Sequence, residues 1–262
     1  MAAVSQEVSL SRGGVWTAPG RAPCRGGGCG DFLQQCTPSS VATTRPDAGL
    51  STTDVEHSNC GALLLMDWER AYLERDTPWD LGEPAPPLAG LLENKTIELL
   101  GAGRVLVPGC GAGHDAVAWQ EAGMEVVGLD ISPSALAMAR ERYGDEVTWL
   151  EGDFFDDALA AHYPVDLLFE HTCFCAIDPS LRPSYVEAAA RWLVPGGRLV
   201  GIFFLDPPER NDGEPGPPYR IEIREVRQLF TRFFRIAGEA SPDRSHSDRV
   251  GREVLIEMVR KP

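Results

Sequence analysis

Between residues 104 and 205 the chain alternates short apolar runs with polar-faced stretches of helical length. The runs are Arg104-Val105-Leu106-Val107, Glu125-Val126-Val127-Gly128-Leu129-Asp130, Val147-Thr148-Trp149-Leu150, Val165-Asp166-Leu167-Leu168-Phe169 and residues 198–205. Strands separated by helices of about ten to fifteen residues must be joined by right-handed crossovers, which gives a parallel sheet covered on both faces. Two later strand-like runs, residues 233–237 and 253–259, lie close enough in sequence to pair antiparallel. The expected fold is therefore α/β: a Rossmann-like, mostly parallel seven-stranded sheet with an antiparallel last strand and helices on both faces. Helices are expected over residues 67–75, from the prolines at 84–87 to about 100, from the glycine loop to Gly123, and from Ser132 to Tyr143. Two more are expected at 182–193 and 222–230. Ser132 caps its helix and Pro133 suits its first turn. In such a sheet, ligands bind beyond the carboxyl ends of the strands, where the strand order reverses.

Three successive strand ends carry chemistry. Gly109-x-Gly111-x-Gly113 follows the first strand, and glycines there let the backbone turn sharply and approach a ligand with no Cβ in the way. The overlapping Gly111-x-Gly113-x-x-Ala116 also fits a dinucleotide fingerprint, so the glycines alone leave a nicotinamide cofactor open. Asp130, ending the second strand about twenty residues on, suits acceptance from both ribose hydroxyls. Asp153-Phe154 after the third strand offers an acid for an adenine amino group and a ring to pack on the base. Pro195-Gly196-Gly197 before the fifth strand tips the choice of cofactor to S-adenosyl-L-methionine, with S-adenosyl-L-homocysteine as product.

Several stretches in one order resemble the thiopurine S-methyltransferase family, and within it the plant-type halide and thiol methyltransferases. They are Trp68-Glu69-Arg70-Ala71-Tyr72 with Thr77-Pro78-Trp79-Asp80, then Val107-Pro108-Gly109-Cys110-Gly111-Ala112-Gly113-His114-Asp115, and Val127-Gly128-Leu129-Asp130-Ile131-Ser132. Asp153-Phe154-Phe155, Phe174-Cys175-Ala176-Ile177 and Gly216-Pro217-Pro218-Tyr219 complete the set, so the resemblance spans about residues 67–262. It implies a class I methyltransferase domain over residues 66–262. It also implies that Trp68, Tyr72 and Trp79 close over the cofactor, and that Gly109, Gly111, Asp130, Asp153, Phe154 and His171 contact it. A plant-type member has Trp where this chain has Tyr72, and relatives have Tyr or Arg where it has His171. Those departures bear on substrate preference.

Methyl transfer from a sulfonium to a soft nucleophile is an in-line displacement whose main demand is positioning, the attacking atom held at about 3 to 3.5 Å. Halide and thiocyanate need no general base, whereas a thiol benefits from one or from a positive neighbour. Candidates on the substrate side are Tyr219 and Arg220, after the Gly216-Pro217-Pro218 loop, and Arg182. His114 is expected to face solvent or pack at a helix end. The expected reaction is methylation of small thiols, bisulfide, thiocyanate and halides. The alternatives are bulkier aromatic or heterocyclic thiols, an NAD(P)-dependent reductase, and a non-catalytic adenosine-binding module.

Composition narrows the partners. The 24 basic residues against 39 acidic ones leave a formal net charge of −15, which argues against sequence-independent nucleic acid binding and against an anionic membrane surface. A small-molecule or small-anion substrate remains, and a monomer is expected. No window approaches a membrane-spanning apolar run. Residues 1–65 lack helical or strand periodicity, so they are expected to be a disordered leader or a mispredicted extension. A cytoplasmic location is expected, with organelle targeting by the leader as the other possibility. Cys24, Cys29, Cys36 and Cys60 contain no close pair of the kind zinc sites need, so no metal is expected. Cys110, Cys173 and Cys175 read as buried thiols of a reducing compartment.

Overall fold

The computed structural model describes residues 66–93, 103–208 and 213–262. The leader and its four cysteines lie outside the described residues, as does the end of the helix expected to reach about residue 100. A sheet of seven strands runs in the order β3-β2-β1-β4-β5-β7-β6. Its strands are β1 (Arg104–Pro108), β2 (Glu125–Asp130), β3 (Thr148–Glu151), β4 (Val165–His171), β5 (Leu193–Phe204), β6 (Phe234–Ala240) and β7 (Glu253–Arg260). Strands β1 to β5 pair in parallel, and β7 lies antiparallel to both β5 and β6. The expected architecture is thus observed, with β7 inserted between β5 and β6.

The helices are α1 (Trp68–Glu74), α2 (Pro86–Glu93), α3 (His114–Glu121), α4 (Pro133–Tyr143), α5 (Asp157–His162), α6 (Arg182–Trp192) and α7 (Ile223–Phe230). Local chemistry sets their starts. Asp67 accepts from the Arg70 amide at 3.0 Å, and Ser132 accepts from Ala135 with Pro133 in the first turn. The sequence reading passed over α5, a six-residue helix begun by the Asp156 side chain. It also placed the start of β5 late: Leu193 already pairs with Val165, so Pro195-Gly196-Gly197 falls inside the strand.

Alternate residues of the central strands serve two cores. Val105, Val107, Leu167, Phe169, Val200 and Ile202 meet α2, α3 and α4, where Trp119 and Leu88 are fully buried. Leu106, Val127, Leu168, Leu199 and Phe203 face α5, α6 and α7, with Tyr185, Trp192, Phe174 and Phe230. Both faces are covered, which explains why these strands read as near-continuous apolar runs. Chain order reverses between β1 and β4, so the crevice beyond their carboxyl ends is where a ligand is expected.

Candidate active site

The loop from β1 into α3 takes positive φ at Gly109 (59°), Gly111 (53°) and Gly113 (88°). A Cβ on Gly111 would stand 2.5 Å from the Tyr72 hydroxyl. The loop is tied to the end of β2: the Gly111 amide donates to Asp130 Oδ2 at 2.8 Å, and the Ser132 amide to Oδ1 at 2.9 Å. Burial pushes the Asp130 pKa up, with these amides opposing it. Each carboxylate oxygen keeps further acceptor capacity for a hydroxyl.

The three early aromatics come together above this loop. Trp79 makes edge contacts with Trp68 (centroids 5.3 Å apart) and Tyr72 (5.9 Å), and its indole N–H donates to the Tyr72 hydroxyl at 3.1 Å. Burial raises the Tyr72 pKa, so the phenol stays neutral. Glu69 clamps α1 to α4, accepting from Ser132 Oγ and Ser134 Oγ, both at 2.6 Å, and from the Ser134 amide at 3.0 Å. Nothing local marks Glu69 for that role, because its partners lie more than sixty residues away. His114 is buried at the start of α3 beside the Tyr143 hydroxyl (2.6 Å) and Asp80 (2.9 Å), so of its two expected settings only helix-end packing holds.

At the end of β3, Asp153 is exposed and accepts from the Phe155 amide at 2.9 Å. Phe154 departs from the expectation that its ring packs on an adenine. The ring lies in the core, parallel to Trp192 at 6.2 Å and 4.7 Å from Tyr185, while its carbonyl accepts from the Trp192 indole at 2.9 Å. The side of the sheet it turns to is covered by α6, and that burial outweighs exposure to a ligand.

From the end of β4 the segment Glu170 to Cys175 turns back against the glycine loop. Thr172 adopts φ 63°, and a Cβ on Gly109 would meet Cys173 Sγ at 3.1 Å. Glu170, fully buried, holds this turn by accepting from the Phe174 amide at 2.8 Å and from the Tyr185 hydroxyl. Burial pushes its pKa from 4.5 up to about 7, against these hydrogen bonds. Between those values the folded chain holds a proton that the unfolded chain has released. Stability therefore falls as pH rises through that window and levels above it, by on the order of 3 kcal/mol. Denaturant titrations at pH 5 and pH 8 should show Glu170→Gln losing most of this pH dependence. Equal slopes for the two proteins would contradict it.

His171 closes the β4 end. Its Nε2 lies 3.0 Å from Arg249 Nη1, and its Nδ1 lies 2.7 Å from Asp115 Oδ2. Asp115 also accepts from the Ala85 amide at 2.7 Å. Arg249 stacks over the Phe204 ring (5.2 Å), with Glu253 at 3.8 Å. A line of charged and polar groups therefore runs from the first turn of α3, across β4, to the start of β7. Arg249 escaped the sequence reading because it lies 78 residues from His171, in a turn with no motif.

The three expected substrate-side residues take different settings. The Tyr219 amide donates to the Cys175 carbonyl at 2.7 Å, which pins the loop after Pro218 to the β4 turn at the active edge. Arg220 is exposed and pairs with Asp206 at 3.2 Å. Arg182 does not reach the edge as a free cation: it is buried, bonded to both Glu225 oxygens (2.8 and 3.0 Å) and to the Arg220 carbonyl (3.0 Å). A buried guanidinium needs such partners, and they consume its charge. Burial pushes the Cys110 and Cys173 thiols well up and Cys175 to about 12, so all three stay protonated. Among the described residues no cluster of His, Cys, Asp and Glu is placed to hold a metal ion.

The Cβ-free cradle at Gly111, the buried acceptor Asp130 beside it and the aromatic cover fit an adenosyl group. Comparison with known proteins agrees. The family model described as thiopurine S-methyltransferase matches residues 65–261. The chain is similar to the probable thiol methyltransferase 2 of Arabidopsis thaliana, 37% identical over 185 residues, covering 69% of this chain and 78% of that protein. It is also similar to thiocyanate methyltransferase 1 of Arabidopsis thaliana, 34% identical over 194 residues, covering 71% and 82%. Among solved structures, the Burkholderia thailandensis 1,6-didemethyltoxoflavin-N1-methyltransferase with S-adenosylhomocysteine shares the fold, with a TM-score of 0.56 at 17% identity, covering 74% of this chain and 85% of that one.

Proposed function

The chain belongs to the thiopurine S-methyltransferase family, and from that premise we propose that this S-adenosylmethionine-dependent S-methyltransferase uses small soft nucleophiles as acceptors: thiocyanate, bisulfide, small thiols and halides. The cofactor supplies an electrophilic methyl group on a sulfonium. What the chain supplies is position and dryness. Trp68, Tyr72 and Trp79 cover the glycine loop, and Asp130 holds the nucleoside end. The observation that carries the reading is the tie between Tyr219 and Cys175 at 2.7 Å, which draws the acceptor-side loop against the β4 turn and favours a small acceptor. The titratable groups at that turn are already engaged: His171 between Asp115 and Arg249, Glu170 by Tyr185 and Phe174. That arrangement suits nucleophiles that arrive as anions and need no base. An anion attacking a sulfonium loses charge in the transition state, so exclusion of water favours reaction. A cytoplasmic monomer completes the reading; the free thiols Cys110, Cys173 and Cys175 support the location, a form that a reducing compartment maintains.

Headspace gas chromatography with S-adenosylmethionine and, separately, thiocyanate, iodide and bisulfide tests this. Methyl thiocyanate, methyl iodide and methanethiol should accumulate above an Asp130→Ala blank. No volatile product from protein that binds S-adenosylhomocysteine would overturn the small-anion reading in favour of bulkier thiols.

A further inference from the structure

We infer that His114 is a positioning residue of the methyl-donor site: through Asp80 it fastens the segment that carries Trp79 over the glycine loop, and so sets how long the cofactor product is held. The inference rests on the reading of Trp68, Tyr72 and Trp79 as the cofactor cover, and it names the residue that keeps the cover shut.

Trp79 lies in the connection between α1 and α2, and both ends of that connection are anchored. Glu69 clamps α1 to the start of α4 through Ser132 and Ser134. The Ala85 amide donates to Asp115, in the first turn of α3, at 2.7 Å. Between those anchors, among the described residues, the hydrogen bond from the connection to the body of the domain is Asp80 Oδ1 to His114 Nε2, at 2.9 Å. The His114 and Asp80 side chains are only 10% and 16% exposed, so water competes little for the bond. Asp80 follows Trp79 directly, and His114 follows Gly113, the last glycine of the cradle. The Trp79 indole reaches the Tyr72 hydroxyl, and that hydroxyl occupies the space beside Gly111 that a Cβ would need. Hydrogen bonds, one close approach and the chain itself therefore close a ring through Gly111, Tyr72, Trp79, Asp80, His114 and Gly113.

The imidazole is held for this task from both sides. Nδ1 lies 2.6 Å from the Tyr143 hydroxyl, and the two rings meet edge to face at 5.8 Å, which fixes the plane of the imidazole. Asp80 Oδ1 also accepts from the Gly82 amide at 2.9 Å, which fixes the carboxylate. Arg142 Nη1 lies 2.8 Å from the same Nε2. One nitrogen cannot donate to a carboxylate and accept from a guanidinium at once. Arg142 is exposed and can turn to water, whereas Asp80 is largely enclosed, so Asp80 is the partner that a protonated Nε2 keeps. A fastened cover excludes water from the sulfonium and retains the ligand, and closing segments of this kind often set product release.

Surface plasmon resonance of S-adenosylhomocysteine on the full chain reads dissociation separately from association. His114→Asn, whose shorter amide reaches the Tyr143 side but not Asp80, should speed dissociation by roughly tenfold, the scale of a lost hydrogen bond to a charged group. Asp80→Ala should do the same. The double variant should dissociate no faster than the faster single one, because both changes break one bond. His114→Gln carries an N–H close to the Nε2 position and should stay within about threefold of wild type. A purely structural role for the ring would not be restored by that change. Trp79→Ala should dissociate at least as fast as His114→Asn. Unchanged dissociation in His114→Asn and Asp80→Ala beside a fast Trp79→Ala would overturn the inference and leave the cover standing. Additive effects in the double variant, or a glutamine variant as fast as the asparagine one, would overturn it as well. Unchanged dissociation in Trp79→Ala would instead sink the cover reading, and the role of His114 with it. If His114→Asn fails to fold, Asp80→Ala and His114→Gln still decide.

Discussion

Asp130→Ala should weaken S-adenosylhomocysteine by roughly two to four orders of magnitude, the largest loss expected from any single side chain in the protein. The carboxylate is buried and already fixed by the Gly111 and Ser132 amides, so it meets a nucleoside without further ordering. Two ribose hydroxyls donating to an ionised acceptor contribute about 1.5 to 3 kcal/mol each, and at RT ln 10 of about 1.4 kcal/mol the pair spans that range. The same change frees the glycine loop amide, so cradle and acceptor fail together. Burial holds the Asp130 pKa above an ordinary carboxylate's, while the ligand needs the ionised form. Affinity should therefore fall as pH drops through that raised value, earlier than an exposed aspartate would cause. Calorimetric titration with S-adenosylhomocysteine at neutral and mildly acidic pH reads both effects. A loss under tenfold in the alanine variant would remove Asp130 from the nucleoside site.

Gly113→Ala should be the most damaging small substitution for the fold. At φ 88° an L-residue costs about 1 to 2 kcal/mol. The added Cβ would also lie 2.6 Å from the Trp149 ring and 3.0 Å from the Ala139 Cβ. Both neighbours are buried, and overpacking of that kind costs about 1 to 3 kcal/mol more. A melting temperature lowered by on the order of 10 °C is expected. Gly123→Ala is the matched control, since Gly123 has φ 90° with nothing within 4 Å of its Cβ position. Similar melting for the two variants would show that only backbone conformation matters at Gly113, and that the close approach to Trp149 does not.

How the crevice is built was legible to different depths along the chain. The alternation of apolar runs and helices marked five parallel strands and the antiparallel ending, because buried strands and amphipathic helices each have a period visible in a short window. The turn at glycines 109, 111 and 113 and the placing of Asp130 beside it were legible for a similar reason: both depend on backbone geometry at a strand end. Phe154 shows where that reasoning stops. A residue at a strand end points to one face or the other, and α6, arriving thirty residues later, decides whether that face is core. Arg182 shows the same limit for charge, since Glu225 lies 43 residues away and only packing brings it within 2.8 Å.

Sequence alone determined the order of elements, the edge of the sheet that binds, and the kind of ligand its glycine loop and acid suit. Each of these follows from composition and spacing within one turn, strand or helix. Tertiary structure alone decided which charges are spent and which are left to act. It buried Arg182 against Glu225, and it placed His171 between Asp115 and Arg249. The physical reason is range. Backbone periodicity and capping act over a few residues, whereas the availability of a buried charge depends on every neighbour that folding brings within hydrogen-bonding distance.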